Sequence, residues 1–142
     1  MKLSDHAYYN TGGDCQNLYE PKTTDELARI VERLHRDGQR YFVLGAGTNS
    51  LVLDEEWPGG VIIFSKMQSL RKEGNQLICE AGADNTAIAQ FALAEGLDGI
   101  SWMNRLPGQI GATVRMNARC YGGEISEVAS SITAVLPNGS VR

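Results

Sequence analysis

Two glycine-rich stretches, far apart in the chain, constrain this sequence most. Of its 142 residues 16 are glycine, where a chain of this length ordinarily carries about 10. Leu44-Gly45-Ala46-Gly47-Thr48-Asn49-Ser50 follows the short apolar run Tyr41-Phe42-Val43-Leu44, which is too brief for a helix and reads as a buried strand. Glycines placed there uncover backbone amides and let an anion such as a diphosphate approach them closely. The second stretch runs from Pro107-Gly108-Gln109-Ile110-Gly111-Ala112 through Met116-Asn117-Ala118-Arg119-Cys120-Tyr121-Gly122-Gly123. Small and apolar residues without periodicity describe backbone lying against a flat apolar surface, with the Asn117 amide available to ring heteroatoms. Each stretch taken alone also fits a bland alternative: a tight ligand-free turn for the first, an irregular packed loop for the second.

Two phosphate-binding patterns are excluded at the first stretch. The dinucleotide fingerprint needs a third glycine where Ser50 stands, and a helix where Leu51-Val52-Leu53 reads as extended. Nor does an acidic residue close the next strand, since Phe64-Ser65-Lys66 stands there. The mononucleotide phosphate loop is excluded because no lysine follows the glycines.

Around these stretches the pattern is that of a mixed helix and strand protein. Thr23-Thr24-Asp25-Glu26 is a capping box opening an amphipathic helix with Leu27, Ile30, Val31 and Leu34 on one face and Gly38 at its end. A second buried strand is expected at Val61-Ile62-Ile63-Phe64, after a turn at Trp57-Pro58-Gly59-Gly60. Residues 70–73 and 76–80 read as a hairpin about Gly74-Asn75, and Asp84 or Asn85 caps a helix carrying Ile88, Phe91, Ala92 and Leu93 towards Gly96. From Leu97 to Gly123 periodicity vanishes, yet Trp102, Leu106, Ile110, Val114 and Met116 are too apolar for a solvated linker. Residues 132–142 read as a hairpin about Pro137-Asn138-Gly139, cut short in its second strand. Composition shifts softly near Ser65–Gln68, which divides the chain into an expected first lobe, 1–66, with βαβ character, and a second, 67–142, with mixed sheet and helix.

The two stretches resemble UDP-N-acetylenolpyruvoylglucosamine reductases, also called UDP-N-acetylmuramate dehydrogenases, over nearly the whole chain. Asn10-Thr11-Gly12-Gly13 is similar to a shortened form of that family's N-terminal motif. Leu44 to Asn49 with Leu51 and Asp54 is similar to its diphosphate loop. Leu106 to Ala112, Met116-Asn117-Ala118 and Tyr121-Gly122-Gly123-Glu124 are similar to its flavin-ring segment. The resemblance implies an α+β fold, the two-lobed FAD-binding domain of the vanillyl-alcohol-oxidase (PCMH) type, with FAD between the lobes. It implies FAD contacts from Gly45, Ala46, Gly47, Thr48, Asn49, Ser50 and Leu51 in one segment, and from Pro107, Gly108, Gly111, Ala112, Asn117, Tyr121 and Gly122 in the other. The family reaction passes hydride from NADPH through the flavin to an enolpyruvyl double bond of a UDP-sugar, in the cytoplasm, for peptidoglycan precursor synthesis. Its catalytic serine, arginine and glutamate lie downstream of the matched segment, so no catalytic residue is expected within 1–142 and the substrate domain is absent. A short non-catalytic FAD-binding paralogue and part of another FAD-linked oxidase are the alternatives.

Where the family commonly has Gly-Ala before Tyr-Gly, this chain has Arg119-Cys120. Arg119 beside a flavin would either steady the reduced cofactor or fill the ring's space, and Arg105 and Arg115 are further cations for a diphosphate. Cys120 as a flavin thioether competes with a packed thiol, the commoner fate of cysteine. Cys15, Cys79 and Cys120 lack disulfide or zinc spacing, and Asp54-Glu55-Glu56 reads as a charged turn, so no metal is expected. His6 and His35 read as surface or border residues, and Trp57 and Trp102 as core. A net charge of -4 argues against a nucleic-acid footprint. No stretch has signal-peptide or membrane-span character.

Overall fold

A computed structural model describes all residues from Met1 to Arg142. They pack as two units, Met1–Lys66 with Ile132–Arg142, and Met67–Ser131. The tail, expected in the second lobe, instead belongs with the first unit. Val135 packs on the cluster of Val31, Leu34 and Ile62, and Gly139 lies so close to the Glu32 side chain that a Cβ would come within 2.9 Å of its Cβ. The expected hairpin is narrow, closed by reciprocal amide bonds of 2.7 and 2.9 Å between Ala134 and Arg142.

The first unit holds β1 (Cys15–Tyr19), α1 (Thr24–Arg36), β2 (Tyr41–Leu44) and β3 (Trp57–Ile63). The sheet order is β1-β3-β2, all parallel, with β3 in the centre. Val61, Ile62 and Ile63 are buried, as the continuous apolar run of a covered parallel strand requires. β1 lies at the edge and carries Gln16 and Asn17; it lacks the apolar run that marks a strand in sequence.

The expected turn at Trp57-Pro58-Gly59-Gly60 lies instead within β3. Register slips there, Cys15 pairing with Trp57 but Asn17 with Gly60, so proline and glycine occupy an irregular stretch of ladder that tolerates a missing donor. Gly60 lies under the Tyr19 ring, where a Cβ would meet a ring carbon at 2.8 Å. At the start of α1 the Glu26 amide donates to Thr23 Oγ1 at 3.1 Å, while the Glu26 carboxylate reaches back to the Lys22 amide at 2.9 Å. Gly38, with φ +63°, takes the left-handed position beyond the helix.

The second unit holds the antiparallel pair β4 (Leu70–Glu73) and β5 (Gln76–Cys79), then α2 (Asn85–Ala94). Asp84 caps α2, its carboxylate accepting from the Ala87 amide at 2.9 Å. After a 3-10 turn at Ser101–Met103 come α3 (Ile110–Arg115), β6 (Arg119–Cys120), β7 (Gly123–Glu124) and α4 (Ile125–Val128). The aperiodic region packs because Trp102 and Met103 enter a core with Ala83, Ile88, Ala89 and Ile125, and Leu106, Ile110 and Val114 border it. Leu93 and Met116 instead point outward. Asn85, fully buried, donates from Nδ2 to Thr113 Oγ1 at 2.8 Å, and that hydroxyl donates back to Asn85 Oδ1 at 3.0 Å. This reciprocal pair ties α2 to α3. No helix is long and apolar enough to cross a membrane.

Candidate functional site

The first stretch leaves β2 at the buried Leu44 and bends through Gly45, Ala46 and Gly47 into a turn at Thr48-Asn49. Gly47 has φ +68°, and a Cβ on it would sit 2.8 Å from Ala7 Cα and 2.9 Å from the Tyr8 nitrogen. Both its backbone conformation and the N-terminal segment lying against it therefore exclude a side chain. The amides of Ala46, Gly47 and Asn49 make no backbone hydrogen bond, and the Ser50 amide reaches the Gly47 carbonyl at 3.3 Å. Asn49, Ser50 and Leu51 are exposed. Uncommitted amides in a bend beyond a parallel strand form a concavity suited to an anion.

The N-terminal segment supports this loop, a relation that sequence alone did not disclose. Leu3 donates its amide to the Gly13 carbonyl at 2.9 Å, and Cys15 donates to the Met1 carbonyl at 2.8 Å. Gly13 donates to the Leu53 carbonyl at 2.9 Å, and Gly12 donates to Asp54 Oδ1 at 3.1 Å. Asp54 is thus the carboxylate that fastens the Asn10-Thr11-Gly12-Gly13 motif beneath residues 53–54. Between these ties Ala7 to Asn10 forms a turn, the Asn10 amide donating to the Ala7 carbonyl at 2.9 Å.

In the second stretch, residues 108–111 run along residues 81–85. The Asn85 amide donates to the Gly108 carbonyl at 3.0 Å, and the Ile110 and Gly111 amides donate to the Ala83 and Ala81 carbonyls, each at 2.9 Å. A Cβ on Gly111 would come within 2.9 Å of Ala81 Cβ, so this glycine answers a packing demand of the chain itself. Gly108 has φ +131°. Pro107 and Ala112 are exposed.

Asn117 has φ +45°, and one N–H of its Nδ2 donates to Glu124 Oε1, which orients the side-chain amide within the segment. Glu124 also accepts from Ser126 Oγ at 2.7 Å and pairs with Arg119 at 3.5 Å. The Ser126 hydroxyl first, then the Asn117 amide, hold its carboxyl below the ordinary value. Tyr121 and Gly122, with φ +48° and +85°, form the two-residue turn joining β6 to β7. Left-handed backbone suits Gly122 but strains Tyr121, and such strain clusters at functional positions. The Tyr121 side chain is 90% exposed.

Elsewhere the side chains behave as structural residues. Trp57 packs edge-on against Phe42 under the Arg40 guanidinium, and Trp102 is buried beside Gly123. Burial raises the Cys15 and Cys79 thiols above their ordinary value. The Arg105 amide donates to Thr86 Oγ1 at 3.1 Å. Two buried side-chain oxygens lack any hydrogen-bond partner, Thr11 Oγ1 in the N-terminal segment and Gln109 Oε1 within the second stretch. Buried polar atoms left unpaired in this way are uncommon, and they suit segments built to meet a polar ligand. Each stretch is assembled within its own unit, residues 45–51 in the first and 107–122 in the second.

A bend of uncommitted amides after a parallel strand, and a strained glycine-rich segment, are features of a nucleotide-cofactor protein. Residues 16–142 match the family described as FAD binding domain, and the chain belongs to it. Its relatives include UDP-N-acetylenolpyruvoylglucosamine reductases. That of Listeria innocua is 34% identical over 140 residues, which are 99% of this chain and 47% of the relative. That of Clostridium novyi is 32% identical over 139 residues, covering 98% of this chain and 45% of the relative. The crystal structure of the Thermus caldophilus UDP-N-acetylenolpyruvylglucosamine reductase matches with a TM-score of 0.80 and 30% identity, over 100% of this chain and 50% of that one. The chain spans about half the length of the curated relatives it matches.

Proposed function

We propose that this chain is the FAD-holding part of an NADPH-dependent reductase of UDP-N-acetylglucosamine enolpyruvate, working in cytoplasmic peptidoglycan precursor synthesis. The observation that carries this reading is the likeness to reductases of that name along 99% of the chain. FAD supplies the hydride chemistry when bound, while the protein's part is to hold and orient it. The two units, Met1–Lys66 with Ile132–Arg142 and Met67–Ser131, correspond in this reading to the lobes of a vanillyl-alcohol-oxidase-type domain.

The fit of the residues to the cofactor supports it. Within Gly45 to Leu51 the amides of Ala46, Gly47 and Asn49, which make no backbone hydrogen bond, face the diphosphate in this reading, with the side chains of Thr48, Asn49 and Ser50 beside them. Pro107, Gly108, Gly111, Ala112, Asn117, Tyr121 and Gly122 present small or flat groups to the isoalloxazine ring, and Gln109 Oε1 is the unpaired acceptor beside them. The Asn117–Glu124 bond orients the Asn117 side chain and uses one of its two amide N–H groups, leaving the second N–H and Oδ1 for the ring heteroatoms. No catalytic role is assigned within residues 1–142; NADPH and the UDP-sugar engage the remainder of the enzyme.

The test is to purify the product of the full native reading frame. It should carry flavin absorbance and oxidise NADPH only when UDP-N-acetylglucosamine enolpyruvate is present. Protein that is flavin-free and produces no change in flavin fluorescence on titration with FAD overturns the reading.

A further inference from the structure

The turn Ala7 to Asn10 is built from the wrong residues for a solvated turn. Its central positions are Tyr8 and Tyr9, 60% and 55% exposed, where glycine, proline, asparagine, aspartate and serine usually stand. Their rings meet edge to face with centroids 5.5 Å apart, so each restrains the other. Beneath them Gly47 is pressed against the Ala7 and Tyr8 backbone, close enough that even a methyl group would collide. The turn is tied to its surroundings on both sides, through Leu3 to Gly13 and through Gly12 to Asp54. The unpaired Thr11 Oγ1 follows it immediately. Two large aromatic faces are therefore held at fixed positions against the bend that offers its amides to a diphosphate.

We infer that the Tyr8-Tyr9 turn is a stacking platform for the adenine ring of FAD. The inference rests on the FAD reading above and extends it to residues outside the matched family segment, which begins at residue 16. A dinucleotide whose diphosphate lies in the bend has a planar ring at each end. The aromatic surface adjoining Gly47 lies in the same unit as that bend and suits the adenine end, the ring that needs only a flat face to stack on. Adenine stacks on tyrosine through its π face, with no demand on hydrogen-bonding pattern.

The test compares FAD with FMN, which lacks the adenylate, by fluorescence titration of flavin-depleted protein from the full native reading frame. Tyr8→Ser with Tyr9→Ser substitutes residues that turns favour, and thermal melts check that the fold persists; Tyr8→Phe with Tyr9→Phe retains the stacking faces. The expected result is a rise of roughly 5- to 100-fold in the FAD Kd for the serine pair, an unchanged FMN Kd, and near-normal FAD affinity for the phenylalanine pair. Unchanged FAD affinity in the serine pair overturns the inference and assigns the exposed rings to a protein surface. Equal losses of FAD and FMN overturn it in favour of a turn that only props the Gly47 bend, and loss in the phenylalanine pair shows that the hydroxyls act, not the faces. If the serine pair fails to fold, the phenylalanine pair and competition of FAD binding by ADP decide, ADP failing to compete being the contrary result. Wild-type protein that binds neither flavin defeats the FAD reading itself, a different outcome from wild-type binding that the variants leave unaltered.

Discussion

At the scale of single residues, the positions that define this molecule are those where a side chain has no latitude. Asn85 and Thr113, both buried, satisfy one another, each acting as donor and acceptor. Thr113→Val keeps the shape but leaves both polar atoms of the asparagine amide unpaired. The expected loss is about 1–3 kcal/mol of unfolding free energy, read from urea denaturation with unchanged m-value. A value near zero shows that the amide finds water or another partner. Gly111, against Ala81, is of the same kind, its lack of a side chain serving the chain's own packing. A glycine in a cofactor-like motif therefore carries two possible meanings, and only its neighbours separate them.

At the scale of elements, the sheet turns on the fit between β1 and β3. Gly60→Val places a branched side chain where the Tyr19 ring lies, with the first added carbon within 2.8 Å of it. Overpacking of this sort costs about 1–3 kcal/mol, and the melting temperature should fall while α2 in the other unit keeps its hydrogen-exchange protection. Loss of protection in α2 to the same degree contradicts that expectation. The same strand shows what the sequence made legible. Val61 to Ile63 announced themselves as an apolar run, α1 through its capping box and heptad-like face, and the β4–β5 hairpin through Gly74-Asn75. β1 did not, because an edge strand with Gln16 and Asn17 has no period to detect. Pro58 and Gly59 misdirected because they signal a turn, whereas a slipped ladder accommodates them equally well. At the candidate site the two glycine stretches were visible, but the Tyr8-Tyr9 turn was not, since its relation to Gly47 depends on contacts between distant residues. The Asn117–Glu124 bond was hidden for the same reason.

At the scale of the whole molecule, the first unit is discontinuous, its tail returning after the second unit has been traversed. Val135 covers Val31, Leu34 and Ile62, and Gly139 fits against Glu32. Deleting residues 132–142 should accelerate amide exchange in α1 and leave α2 unaffected; unchanged exchange in α1 shows that the tail adds nothing to that core. The arrangement of the sheet has a consequence for synthesis. β1 and β2 never touch one another as strands, for each bonds only to β3. On the ribosome, then, the first two strands wait as unpaired ribbons until Ile63 has cleared the exit tunnel, with α1 alone able to form in the meantime. During that interval the emerging polypeptide displays open strand edges, and it is there that a nascent-chain chaperone has most to protect.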